Sequence, residues 1–167
     1  MNRADKKRNF LAGVFQQAAS RSVLHFVPVK DVMTLAPCSV SPQTSARELL
    51  DLFQARRFRH FFVVEQQQLV GVISDRDVIH LFGAHDALEA DYLDRVYASE
   101  LMSTDLVTTT PDAPFMEAVG KIVNNGISCL PVVENGEAVG ILTSTDLYLA
   151  LEQLLVSIVP QLESAHA

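Results

Sequence analysis

Apolar residues at Ala46, Leu49, Leu50 and Phe53 recur at i, i+3, i+4 and i+7, and the pattern returns at Phe115, Ala118, Val119 and Ile122. That spacing is one face of a helix, so it predicts two amphipathic helices. A short β-rich run follows each, FFVV at 61–64 and PVV at 131–133, then a polar turn, then LVGVIS or AVGILT. Each group reads as a hairpin. The turn ENGE supplies Asn135-Gly136 for the positive φ angles of a tight hairpin, whereas EQQQ at 65–68 has no glycine and predicts a looser turn. A further helix begins near Asp77 and again near Asp146.

The two groups superpose without a gap at an offset of 69, which pairs Met33 with Met102, Pro42 with Pro111, Gly71 with Gly140 and Asp77 with Asp146. The repeating unit is a short strand near Val40 or Val107, a helix, a hairpin and a helix. About 50 to 60 residues bury too little surface to stand alone, so two copies are expected to share one core. The expected boundaries are an N-terminal helical segment at 1–28 ended by Pro28, a first repeat plus connector at 29–98, and a second repeat with an extended C-terminal helix at 99–163. Leu147, Leu151, Leu154, Leu155, Ile158 and Leu162 continue at helical spacing around Pro160, which predicts an apolar face used as a subunit contact.

Of the 167 residues, 49% are apolar, which argues for a packed core rather than disorder. A net charge of −7 speaks against a general nucleic-acid binder; the basic run KKR at 6–8 is too short to reverse it, and RRFRH at 56–60 leads straight into a hairpin. Charges interrupt every apolar stretch before the roughly 18 residues of a membrane span, and the N-terminus lacks the apolar core and cleavage site of a signal peptide. A cytoplasmic location, with no membrane contact, is the expectation. Cys38 and Cys129 stand far apart without a Cys-x-x-Cys or a histidine pair, so reduced thiols are expected and neither a disulfide framework nor a metal site. The acidic connector around Asp86, Glu89, Asp91 and Asp94 reads as a solvated face.

The chemistry worth weighing lies in GVISDRD at 71–77 and GILTSTD at 140–146. Ser74-x-x-Asp77 and Thr143-x-x-Asp146 have capping-box spacing, a purely structural use. The same geometry suits a ligand. Unpaired first-turn N–H groups favour an anion. An ionised aspartate has only acceptors, which match the two adjacent hydroxyls of a ribose. Gly71 and Gly140 permit close approach by a strand or a flat ring, and Arg76 and Thr145 are further candidate phosphate donors. Asp75 and Asp77 do not form an acid–base pair by spacing alone.

VKDVMTLAPCSVSP, GVISDRD, SELMSTDLVTTTP and ISCLPVVENGEAVGILTSTD, taken in order, resemble a tandem pair of cystathionine-β-synthase-type (CBS) domains over residues 29 to about 151. The resemblance implies an α/β (α+β) fold of two β-α-β-β-α repeats packed as one pseudo-two-fold Bateman module, here with extra N- and C-terminal helices. It implies a regulatory, dimerising protein that binds an adenosine-containing ligand, namely AMP, ADP, ATP or S-adenosylmethionine, and acts on a protein partner not named by the sequence. It also sorts the residues into two sites. The first joins Ser74, Arg76 and Asp77 to Val107, Ile127, Ser128, Cys129 and Pro131. The second joins Thr143, Thr145 and Asp146 to Cys38, Phe58, Arg59 and His60, and is favoured for phosphate because Arg59 and His60 hold the basic hairpin-entrance positions. Phe58 and Ile127 are then expected to flank adenine.

Phe62 stands where the second repeat has Pro131 and where the family usually has proline. This puts the shape of the first hairpin in question and makes one occupied site the expectation. His60 alone reads as an interior histidine, and Arg59 alone as a partner for an acidic side chain across a dimer. Gly-x-x-x-x-Gly-Lys-Ser/Thr, Gly-x-Gly-x-x-Gly, His-Glu-x-x-His and Gly-x-Ser-x-Gly are all missing, so no enzyme and no cofactor is expected. The rival expectation is a non-catalytic interaction module in which the motif only caps helices and Phe62 plugs the first cleft.

Overall fold

Helix α1, Ala46–Arg56, begins at a reciprocal cap, the Ser45 N–H donating to Glu48 Oε2 at 2.9 Å and the Glu48 N–H to Ser45 Oγ at 3.3 Å. These bonds satisfy amides that a helix start leaves without partners. Ala46, Leu49 and Phe53 are buried and Leu50 half-buried, as the spacing predicts. The described residues of this computed structural model are 9–13, 27–56, 58–83 and 91–165, the side chains of 83 and 157–165 excepted. The basic run at 6–8, Asp86 and Glu89 of the connector, and the side chains of Ile158, Pro160 and Leu162 lie outside them.

Strand β1 is Thr34–Leu35, preceded by a 3-10 turn at Val29–Asp31, and β2 is Ser39–Val40. After α1 come β3, His60–Glu65, β4, Gln68–Ser74, and α2, Asp75–Gly83. Two short helices, α3 at Tyr92–Arg95 and α4 at Ala98–Leu101, lead to the second copy. That copy holds α5, Phe115–Asn125, β5, Cys129–Glu134, β6, Glu137–Thr143, and the long α6, Ser144–Ala165. Gly126 ends α5 in the left-handed region (φ 62°), its N–H reaching back to the carbonyls of Ile122 and Val123.

The chain forms two compact units. One contains the chain through Ala36, Val107–Glu134 and the part from Val139 onward; the other contains Pro37–Leu106 and Asn135–Ala138. In the first, the sheet order is β1-β6-β5, in the second β2-β3-β4. Both follow one plan at the offset of 69. Val40 pairs in parallel with Val63, and Thr109 with Val132; Thr34 pairs antiparallel with Ile141, and Ser103 with Val72. The segment that opens each repeat therefore borders the hairpin of the other.

Val29, Val32, Leu130, Val132 and Leu142 pack with Phe115, Ala118 and Ile122 in one unit. Leu49, Phe53, Phe61, Val63, Ile73 and Val78 form the corresponding core of the other. Alternation along β3 sets Phe62 on the opposite face from Phe61 and Val63, and it too is buried. Its N–H donates to the Cys38 carbonyl at 3.0 Å and it stays in register with Val72, while the hairpin's register shift falls just beyond it, between Val63 and Val64. The looser first turn is not found. Gln66 (φ 49°) and Gln67 (φ 67°) take the same left-handed pair as Asn135 (φ 53°) and Gly136 (φ 85°), and Glu65 faces Gln68 across a two-residue turn. Strand pairing on both sides over-rides the poor turn propensity of glutamine.

The Met102 side chain lies over Gly71 and the Met33 side chain over Gly140. A Cβ on Gly71 would sit 2.8 Å from Met102 Cγ and 3.0 Å from its Cβ, whereas at Gly140 the Met33 Cγ and Cε would be 3.1 and 3.3 Å away, with the sulfur nearest in both. The first collision involves the base of the methionine, the second its flexible end. Gly71→Ala is expected to cost about 1–3 kcal/mol and Gly140→Ala less, with Met102→Ala relieving part of the first loss. Urea unfolding midpoints check this, and equal losses at the two glycines would count against it.

Candidate functional site

Where β4 turns into α2, the Asp77 carboxylate folds back on its own corner. Its Oδ2 accepts the Ser74 N–H and the Ser74 hydroxyl, each at 2.7 Å. The β6–α6 corner repeats this, Asp146 Oδ2 accepting the Thr143 N–H at 2.6 Å and the Thr143 hydroxyl at 2.8 Å. Only half of a capping box is realised: the carboxylate reaches the strand-end amide, but the hydroxyl donates to the carboxylate instead of accepting from the helix. Each corner thus holds one carboxylate oxygen and fixes the side chain.

The second oxygens differ. Asp146 is 4% exposed, and Thr34 of the exchanged opening segment donates to its Oδ1 over a long 3.4 Å. Asp77 is half-buried, and its Oδ1 has no partner among the described residues. Thr34 was missed by motif reading because 112 residues separate it from Asp146. The available signal was the hydroxyl that Thr34 and Ser103 share at the offset of 69.

The hairpin entrances sit beside these corners within each unit. The Asp75 N–H donates to the Arg59 carbonyl at 3.1 Å, and the Ser144 N–H to the Ser128 carbonyl at 3.2 Å. In the first repeat alone a charge pair is added, Arg59 Nε to Asp75 Oδ2 at 3.3 Å. The acidic partner expected for Arg59 across a dimer is thus found in its own unit. His60, paired across the hairpin with Ser74, is half-buried, and burial pushes its imidazole below the usual histidine range. Asp75 and Asp77 oppose that shift, while Arg59 and Arg76 add to it. Burial, reinforced by Asp146, pushes the Cys129 thiol up to about 12, making it an inert core group at neutral pH. Cys38 is a half-buried free thiol.

The other sequence-selected residues fall in two places. Phe58 packs on the core beside Phe61, ring centroids 6.5 Å apart and edge-on, while Arg76 is exposed. In the other unit Val107 and Ile127 pack partly buried on the core, Pro131 is buried, and Ser128 and Thr145 are exposed. Each unit therefore carries one complete copy of the hairpin entrance and one of the hydroxyl–carboxylate corner. Among the described residues no group of three or more His, Cys, Asp or Glu is placed to hold a metal ion, and no helix is long and apolar enough to cross a membrane.

The CBS domain profile matches residues 29–84 and matches again at 98–153. The chain belongs to the CBS domain family. The CBS domain-containing protein YhcV of Bacillus subtilis is 33% identical over 122 residues, which cover 71% of this chain and 81% of that one. Two further curated relatives, the uncharacterized proteins MJ1225 and MJ1404 of Methanocaldococcus jannaschii, are 27% and 29% identical and longer, the match spanning 46% and 27% of their lengths. Among solved structures, CBSX2 in complex with AMP matches at a TM-score of 0.66 and 24% identity, over 76% of this chain and 97% of that one. The CBS domain pair of MJ0100, in complex with 5′-methylthioadenosine and S-adenosyl-L-methionine, matches at 0.64 and 24%, over 74% and 94%. The two three-stranded sheets with their helices are thus the CBS pair fold.

The depressed His60 pKa has a defined sign. Below the ordinary value of 6.5 an unfolded chain takes up a proton that folded His60 resists, so this CBS pair loses stability as pH falls through and below that value. His60→Gln is expected to flatten that part of the profile. Urea midpoints at about pH 7.5 and about pH 5.5 test it, and an identical drop in wild type and variant would assign the effect elsewhere.

Proposed function

We propose that this CBS pair is a non-catalytic regulatory module that binds an adenosine-containing ligand, AMP, ADP, ATP or S-adenosylmethionine, and transmits its presence to a protein partner in the cytoplasm. The observation that carries the reading is the repeated hydroxyl–carboxylate corner, in which one aspartate oxygen is anchored locally at 2.6–2.8 Å. A pre-oriented carboxylate suits the two donors of a ribose diol, and losing one donor would leave a desolvated acceptor unpaired. Support comes from the two structural relatives solved with AMP and with S-adenosyl-L-methionine and 5′-methylthioadenosine.

Thr143, Thr145 and Asp146 with Cys38, Phe58, Arg59 and His60 are the proposed phosphate-binding set. Ser74, Arg76 and Asp77 with Val107, Ile127, Ser128, Cys129 and Pro131 form the other set. Calorimetric titration with adenosine, AMP, ATP and S-adenosylmethionine tests the assignment. Saturable binding of at least one is expected, lost in Asp146→Ala, while Arg59→Ala weakens AMP more than adenosine. A merely capping Asp146 would instead give unchanged affinity and a stability loss of about 1 kcal/mol.

A homodimer is proposed from a second repeated feature. Ile79 and Phe82 on α2 are exposed, and so are Tyr148 and Leu151 at the equivalent positions of α6, with Ile79 at 56% and Tyr148 at 70%. Apolar pairs repeated at the same offset suit a partner that carries the same repeat, as a second copy does. Ile79→Glu combined with Tyr148→Glu is expected to convert a dimer to a monomer in sedimentation equilibrium. A wild-type monomer, or a variant that remains dimeric, would remove this assignment.

A further inference from the structure

The first repeat places a charge pair where the second has two hydroxyls. Arg59 corresponds to Ser128 and Asp75 to Ser144 at the offset of 69. The carbonyl–amide bond between the two positions is present in both repeats, so the backbone scaffold is the same and only the side chains differ. The substitution is complete on both sides: the repeat with the arginine has the aspartate, and the repeat without it has neither. Arg59 and Asp75 therefore act as one device, and folding does not need it, because the second repeat makes the same corner with Ser128 and Ser144.

We propose that Asp75 is a built-in competitor of the ligand's phosphate for Arg59, so that this corner selects ligands by their negative charge. The proposal rests on the nucleotide reading above and adds the discriminating residue. The contact is suited to displacement. It uses a single guanidinium nitrogen at 3.3 Å, and the side chains of Arg59 and Asp75 are 64% and 30% exposed. A phosphate dianion offers oxygens for the bidentate grip that one oxygen of Asp75 does not provide. A neutral adenosyl ligand lacks the charge to take the arginine and leaves the pair intact. Asp75 opens α2, so release of its carboxylate on phosphate binding also alters the first turn of that helix.

The test compares AMP with adenosine, which differ only in the phosphate, on wild type, Asp75→Asn and Asp75→Ser. Serine is the residue the second repeat uses at this position, which guards against a folding defect. Both variants are expected to bind AMP about two- to fivefold more tightly, as fits removal of an exposed competing ion, with adenosine unchanged. Adding Arg59→Ala to Asp75→Asn should abolish the gain. Unchanged or weakened AMP binding, or equal tightening of adenosine, would overturn the proposal while leaving nucleotide binding intact. If neither ligand binds any of the proteins, this proposal fails, and the nucleotide reading fails with it when ATP and S-adenosylmethionine do not bind either.

Discussion

Each sheet depends on a methionine from the other repeat's opening segment. Met33 lies over Gly140 and Met102 over Gly71, next to the Thr34–Ile141 and Ser103–Val72 pairings. Glycine suits both positions because an added methyl group would meet the methionine, near its base at Gly71 and toward its flexible end at Gly140. The exchange has an energetic reason. A lone hairpin with a flanking helix is marginal in water, and its outer strand offers unpaired amides. Pairing that edge with a segment from the other copy satisfies those groups and ties the stability of each unit to residues far away in sequence.

The same exchange delivers chemistry. Because the opening segment carries a hydroxyl one residue after its methionine, seating Met33 on Gly140 also brings Thr34 to Asp146. The buried carboxylate thus collects donors from its own strand end and from the opposite end of the chain. Ser103 holds the equivalent place beside Val72, yet Asp77 keeps one oxygen without a partner among the described residues. One plan applied twice has produced a closed carboxylate and a more open one.

What the chain's linear pattern could reveal was local. The faces of α1 and α5, both hairpins and the offset of 69 follow from periods of 3.6 and 2 and from self-alignment, and all are present in the fold. Gln66-Gln67 was misjudged because turn propensity describes an isolated turn, whereas strands β3 and β4 hold this one. The Thr34–Asp146 contact was out of reach because nothing in a linear pattern states that the opening segments change places. The Arg59–Asp75 pair was half visible. The sequence suggests an acidic partner for Arg59 but does not single out Asp75, since which side chains meet across a hairpin entrance depends on rotamers as well as register.

Divergence between the repeats is concentrated at the corners. The cores keep apolar residues at matching positions, as close packing requires. At the hairpin entrances Arg59, His60, Asp75 and Arg76 stand against Ser128, Cys129, Ser144 and Thr145. The first set is charged or titratable near neutrality, whereas in the second the only ionisable group is a thiol whose pKa is pushed up to about 12. Burial pressure cannot explain this difference, because Arg59 and Arg76 are as exposed as Ser128 and Thr145 and both repeats build the same backbone corner. A structural cap needs only the hydroxyl, the carboxylate and the amide, and those are the parts both repeats retain. Residues that differ while the scaffold stays constant are the ones free to respond to what approaches from outside. The electrostatic contrast between the corners is therefore not a demand of the fold, and it is at these corners that the ligand contacts proposed above would differ between the repeats.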